Sequence, residues 1–179
     1  MKVSFHEICL GLLMMGSALV FNSCKHDDDD PEFLMSNQEF VNRASSSNQF
    51  EISAGAMAAS KGENEAVKTY GEHMVTDHTA AALEMKNLAN GKGWDVPNSL
   101  LQKEKQHLDQ LSHLTGPAFD KEFANIMVMS HQDAVSLFEA AAGGMGVPDA
   151  DLRTMANAKL PTLKMHLEHA ITLKNQVNP

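Results

Sequence analysis

Apolar residues recur every three to four positions over four long stretches of this chain, which is the period of one helix face. The stretches cover residues 36–59, 64–90, 117–142 and 149–176. A shorter amphipathic stretch, residues 99–114, lies between the second and third of them. No stretch alternates apolar and polar residues over the length of a strand, so strands are not expected. The pattern predicts an all-α protein.

Turn-forming residues separate these stretches and divide them into two pairs. Ser36 and Glu39 have the spacing of a capping box at the start of the first helix. The glycine-rich segments 91–97 and 143–148 each end a helix, and Pro161 is expected to kink the last one. Two long hairpins joined by one longer connection predict a ferritin-like four-helix bundle with an extra short connecting helix.

Each long helix carries one ionisable residue within its apolar stripe. These residues are Glu51, His78, His131 and His166. Burying such groups costs several kcal/mol unless they are paired, hydrogen-bonded or bound to a metal. One interpretation is a metal or redox centre, because imidazoles and a carboxylate suit transition metals such as iron, zinc or copper. The other is a set of hydrogen-bonded polar groups that fixes how the helices pack.

The positions of the four residues along the bundle axis argue against a single compact site. Counted from the turn near residue 62, Glu51 and His78 differ by about five residues, or roughly 7 Å along the axis at about 1.5 Å per residue. His131 and His166 show the same offset from the turn near residue 146. The count predicts two offset polar pairs, one in each hairpin.

One further pair has a spacing known from metal sites. Glu104 and His107 are three residues apart in the short stretch, as in the Glu-x-x-His motif of di-iron bundle proteins. The stretch around them is strongly polar, so we interpret it as a solvated surface helix.

The first 35 residues have the features of an exported, lipid-anchored protein. An apolar run over residues 8–21 has the length of a signal-peptide core and is too short to cross a bilayer as a helix. We interpret residues 1–23 as a lipoprotein signal peptide and Cys24 as the lipidated residue. Residues 24–35 include four consecutive aspartates and are predicted to be a flexible acidic tether. The folded domain then spans residues 36–176.

These features predict a location in the cell envelope, as an outer-membrane lipoprotein that faces the periplasm or the outer surface. The lipidated N-terminus makes the membrane a predicted partner, and the sequence does not identify a protein partner. A net charge of −9 without any basic stripe excludes nucleic-acid binding. The only cysteines are Cys9 and Cys24, so the domain itself has no disulfide, no catalytic thiolate and no cysteine-ligated zinc.

Several segments form a recognisable set, namely 48–52, 67–78, 116–120, 131–138, 160–163 and 166–167. Together, over about residues 36–175, they resemble the bacterial domain of unknown function 4142. Members of that family are often described as outer-membrane proteins and look ferritin-like. The resemblance implies an exported helical bundle and implies no reaction.

Two functions follow as hypotheses. The first is a lipid-anchored envelope protein whose bundle is a non-enzymatic binding or stress-associated module that can bind a metal. The alternative is a metal-dependent oxidoreductase that uses the same residues, Glu51, His78, His131 and His166. No catalytic residue is assigned.

Overall fold

A computed structural model of the chain describes residues 32–178, and these residues form five α-helices and no strand. The helices are α1 (Asn37–Lys61), α2 (Glu65–Lys92), α3 (Gln102–Ser112), α4 (Gly116–Ala142) and α5 (Ala150–Val177). The predicted all-α bundle of two hairpins with a short connecting helix is confirmed. The proposed signal peptide, Cys24 and most of the tether lie outside the described residues.

Side chains at the helix ends explain why the helices begin and end where they do. The Ser36 hydroxyl accepts a hydrogen bond from the Glu39 N–H at 3.1 Å, as the capping box predicts. The Asp149 carboxylate accepts two backbone N–H groups in the first turn of α5. Gly93 ends α2 with a φ of 73°, a conformation that favours glycine. The sequence therefore determines most helix ends locally.

The first hairpin, α1 with α2, is held at very short range by two glycines. A Cβ atom on Gly55 would lie 2.6 Å from the Gly71 carbonyl oxygen, and a Cβ on Gly71 would lie 2.6 Å from the Gly55 oxygen. Any larger residue would therefore push the two helices apart. This contact fixes the position of α1 along the axis of α2.

Helix α3 lies against α1 and α4. The Ser46 hydroxyl donates to a Glu104 carboxylate oxygen at 3.3 Å, and the His107 ring lies 5.9 Å from the Phe50 ring. Glu104 and His107 are thus half-buried. The interpretation of this segment as a solvated surface helix is wrong for these two residues, although most of α3 is exposed.

The core consists of two hydrophobic clusters. One contains Phe50, Tyr70, Met74, Phe123 and Met127 among others, and the second contains Phe40, Met85, Leu137, Phe138 and Leu152 among others. On α2, α4 and α5, a buried histidine lies in sequence between the residues of one cluster and those of the other. The bundle therefore has a polar layer between two apolar halves.

Helix α5 is continuous through Pro161, which has no backbone N–H and therefore leaves one helical hydrogen bond unmade.

Within residues 32–178, no helix combines the length and the apolar character needed to span a bilayer.

Candidate metal centre

The polar layer brings three histidines together. One ring nitrogen each of His78, His131 and His166 lies within 4.8 Å of the corresponding nitrogens of the other two. The three ring centroids are 5.4–5.7 Å apart. Each residue is at most 4% exposed. We call these three residues the histidine triad.

The prediction of two offset pairs, one in each hairpin, is wrong. The triad combines His78 of the first hairpin with both histidines of the second. Side chains on a helix point toward its N-terminus, and the two helices of a hairpin run in opposite directions. In the second hairpin, the His131 side chain therefore points away from the turn and the His166 side chain points toward it. A count of residues along the helix axis places only the backbone positions, so it does not show that the two side chains point toward each other.

Each ring of the triad is held by one hydrogen bond on its outer side. His131 Nδ1 donates to the Met127 carbonyl at 2.9 Å. His78 Nδ1 donates to the Asn48 side-chain oxygen, also at 2.9 Å. His166 Nε2 donates to the Asp77 carboxylate at the same distance. Because one nitrogen of each ring carries the proton, the other presents a lone pair.

These other nitrogens are buried and have no hydrogen-bond partner among the described residues. They are Nε2 of His78, Nε2 of His131 and Nδ1 of His166. Leaving a buried polar atom unpaired costs about 1–3 kcal/mol, and native proteins contain few such atoms. Three of them in one cluster form a donor set that suits a single acceptor of lone pairs. We therefore identify these nitrogens as the converging atoms of the triad.

Burial keeps the triad neutral at physiological pH. It lowers the pKa of His131 to about 4, against a smaller raising effect of the Met127 hydrogen bond. Burial also lowers the pKa of His78 well below its usual value, with further contributions from the other two histidines. The pKa of His166 is lowered by burial as well, although the Asp77 hydrogen bond opposes the shift. Neutral imidazoles are the form that binds metals.

Glu51, the fourth predicted residue, lies beside the triad but on a different side of His131. Its Oε1 atom accepts a hydrogen bond from the Ser130 hydroxyl and lies 3.9 Å from His131 Nδ1, the nitrogen already bonded to Met127. Its Oε2 atom is buried and unpartnered. Burial raises the pKa of Glu51 to about 7, partly offset by the Ser130 hydrogen bond. Its role as a ligand stays a prediction.

The triad fits the demands of a transition-metal ion. Ligand nitrogens about 2.0–2.1 Å from a tetrahedral ion lie about 3.3 Å apart. The observed limit of 4.8 Å is therefore within reach of small side-chain rotations. Hydrogen bonds from the outer ring nitrogens to a carboxylate, an amide and a carbonyl are the usual means by which proteins orient histidine ligands.

Three residues at this centre were not predicted from the sequence as parts of a site. Asn48 and Asp77 orient rings of the triad, and Ser130 bonds Glu51. Asn48 lies three residues before Glu51, within the same buried part of α1, so a search for further polar residues along that stripe would have found it. Asp77 and Ser130 immediately precede His78 and His131 in the sequence, and the spacing of apolar residues does not distinguish them from other polar residues.

Comparisons with known proteins agree with the fold. A solved structure described as "CopM in the Cu(II)-bound form" superimposes with a TM-score of 0.66 at 19% sequence identity, covering 79% of this chain and 97% of that one. At this identity the likeness establishes the helical fold alone. A search of curated proteins finds no match. The family model named Domain of unknown function (DUF4142) matches residues 23–173. This chain therefore belongs to the DUF4142 family.

Proposed function

We propose that the domain is a transition-metal-binding module and that His78, His131 and His166 are its protein ligands. The observation that carries this proposal is the convergence of three buried, unpartnered ring nitrogens. Polar side chains that only fix the packing usually hydrogen-bond one another across the layer or share a buried water. Each ring is instead hydrogen-bonded on its outer nitrogen only, which leaves the inner nitrogens for a ligand.

Copper(II) is the first ion to test. Imidazole nitrogens suit copper, zinc, iron and nickel, and copper(II) binds most tightly among the divalent ions of this series. The structurally similar CopM is described in a copper(II)-bound form, which supports the choice. Zinc and iron are the other two candidates from the sequence and belong in the same titration.

We assign Glu51 the role of a nearby carboxyl group that balances the charge of a bound cation. Its position on the Nδ1 side of His131 supports this role over direct binding. Replacement by glutamine keeps the size and the hydrogen bond from Ser130 while it removes the charge. Glu51→Gln is therefore expected to weaken metal binding less than the loss of any histidine of the triad.

Metal analysis tests the proposal. The protein is purified without chelators, loaded with copper(II), zinc or iron(II) and measured for bound metal, beside His131→Gln and the control His113→Gln. His113 is a suitable control because its side chain is 77% exposed. We expect about one tightly bound ion per chain in wild type and His113→Gln, and binding at least tenfold weaker in His131→Gln. Less than a tenth of an equivalent in loaded wild type would contradict the proposal.

We also propose that the domain is anchored in the cell envelope through a lipid on Cys24. The apolar run, the cysteine and the acidic segment that follows support this proposal. Replacing Cys24 with serine should move the protein from the membrane fraction to the soluble fraction and abolish labelling with a fatty-acid analogue. Unchanged sedimentation with membranes would contradict the anchor.

The alternative function, a metal-dependent oxidoreductase at the same centre, stays a prediction. It requires that the bound ion change its oxidation state reversibly while it stays in the triad. Redox titration of the copper-loaded protein measures this directly.

A further inference from the structure

A cavity between α2 and α5 extends from the protein surface to two residues of the histidine triad. Its volume is about 350 Å³. Its lining includes His78 and Ala81 from α2, and Thr162, Met165 and His166 from α5. Two of the three proposed ligands therefore line one cavity, as do Asn48 and Asp77, the acceptors of their outer ring N–H groups. We call it the α2–α5 cavity.

The cavity on the opposite side of the bundle does not reach the triad. It lies between α1, α3 and α4, has a volume of about 430 Å³ and contains no triad residue in its lining. Its nearest link to the centre is Ser130, whose hydroxyl donates to Glu51. A groove lined by Tyr70, His73 and His169 likewise contains no triad residue. The α2–α5 cavity is thus the most direct of these three routes.

The chemistry of the α2–α5 cavity suits a cation. The Asp77 side chain is 44% exposed, lines the cavity and accepts the hydrogen bond from His166, so a carboxylate connects solvent to the triad. Met165, which is 43% exposed, adds a polarisable sulfur to the lining. The Lys159 ammonium also lines the cavity, but it forms an ion pair with Glu84. That pairing reduces its repulsion of an approaching cation.

We propose that metal ions enter and leave the triad through the α2–α5 cavity, without opening of the helical bundle. This inference rests on the proposed function and adds the path of exchange. A route through a preformed cavity has a clear kinetic consequence. A bulky side chain in the path raises the barrier for association and dissociation together, while the affinity stays the same because the ligands are unchanged.

Two substitutions, one on each helix, are designed to fill the path. Thr162 is exposed, lines the cavity and lies one helical turn before His166, so Thr162→Trp places an indole over the opening without replacing a core residue. Ala81→Leu narrows the cavity from the side of α2. Ser136→Trp is the matched control. Ser136 is also exposed and lines the opposite cavity, which contains no triad residue.

Stopped-flow mixing with cobalt(II), whose visible bands report binding, gives the association rate, and transfer to a chelator gives the dissociation rate. We expect Thr162→Trp and Ala81→Leu to slow both rates at least fivefold and to leave the dissociation constant within twofold of wild type. Ser136→Trp should exchange at the wild-type rate. Wild-type rates in the two cavity variants, or equal slowing in Ser136→Trp, would overturn the inference.

A measurement on the unmodified chain tests the same inference without any substitution. If the cavity is open, the observed association rate rises in proportion to cobalt concentration. If the bundle must open first, the rate levels off at the rate of that opening. Saturation at low cobalt concentration would therefore also overturn the inference. Absence of cobalt, copper and zinc binding altogether would instead contradict the proposed function, so the two failures are distinguishable.

Discussion

At the scale of single residues, the centre depends on side chains that hold the imidazoles as much as on the imidazoles themselves. Asn48, Asp77 and the Met127 carbonyl each accept a ring N–H at 2.9 Å. Each contact selects which nitrogen carries the proton and fixes the ring orientation. The three inner nitrogens, whose lone pairs are free, therefore lie within 4.8 Å of one another.

Replacing Asp77 with alanine tests this orienting role. His166 would lose its acceptor, and its ring would become free to rotate. We expect metal affinity to fall by about tenfold or more. Competition with a coloured chelator measures the dissociation constant. The control is Glu72→Ala, an exposed acid on the same helix, which should bind like wild type. Equal affinities for Asp77→Ala and wild type would show that Asp77 does not position the ring.

The pH dependence of stability tests the burial of the triad in metal-free protein. The folded pKa of His131 is about 4 and its ordinary value is 6.5, so the unfolded chain binds the extra proton first as pH falls. The stability that this residue contributes is present above pH 6.5 and is lost as pH falls toward 4. Between pH 7.5 and 5.5, wild type should lose about 1 kcal/mol more unfolding free energy than His131→Gln.

Urea unfolding at the two pH values measures that difference. His113→Gln, at a highly exposed position, should retain the pH dependence of wild type. If His131→Gln and wild type lose the same free energy, the His131 ring titrates normally in the folded protein and is not buried as described.

At the scale of helices, local sequence signals and tertiary contacts determine different properties. The starts of α1, α2 and α5 follow from capping side chains, and α1, α2 and α4 end at glycines. The observed bounds of all five helices differ from the predicted ones by at most three residues. The docking of α3 does not follow from its own polar sequence. Glu104 and His107 are half-buried because Ser46 and Phe50 of α1 lie opposite them, and periodicity within α3 carries no information about α1.

The α1–α2 contact gives a test at this scale. Gly55→Ala places a Cβ atom 2.6 Å from the Gly71 carbonyl oxygen, so the helices must separate. We expect a loss of about 2 kcal/mol in unfolding free energy. Gly91→Ala is the control, because a Cβ there meets nothing within 4 Å. That change should be neutral or stabilise the helix by about 0.5 kcal/mol.

Urea titration of both variants measures the two changes. The contrast matters more than either value, since both substitutions add the same methyl group to the same hairpin. Similar stabilities for Gly55→Ala and Gly91→Ala would contradict the close approach of α1 and α2.

At the scale of the whole molecule, the triad connects helices of both hairpins. His78 lies on α2, and His131 and His166 lie on α4 and α5. An ion held by all three would join the hairpins where the polar layer interrupts the hydrophobic core. Metal binding should therefore stabilise the entire bundle, because the unfolded chain does not hold the three ligands together.

Thermal unfolding measures this coupling. At a free metal concentration about 100 times the dissociation constant, binding adds about 2.7 kcal/mol to the stability. For a domain of this size, that corresponds to a Tm increase of about 5–10 °C. His131→Gln binds at least tenfold more weakly, so at the same metal concentration it should gain at most about 1.4 kcal/mol, or about 3–5 °C. An equal shift in both proteins would place the bound metal outside the triad.

The sequence by itself determined the helices, their ends and the presence of one ionisable residue in each apolar stripe. These are properties of spacing along the chain, and a helix converts spacing into a face. Only the tertiary structure decided that His78, His131 and His166 meet while Glu51 lies to one side. That outcome depends on the relative heights of four helices and on the opposite directions of side chains in antiparallel neighbours. Those quantities are set by contacts between helices, such as that of Gly55 with Gly71, rather than by the pattern within any one helix.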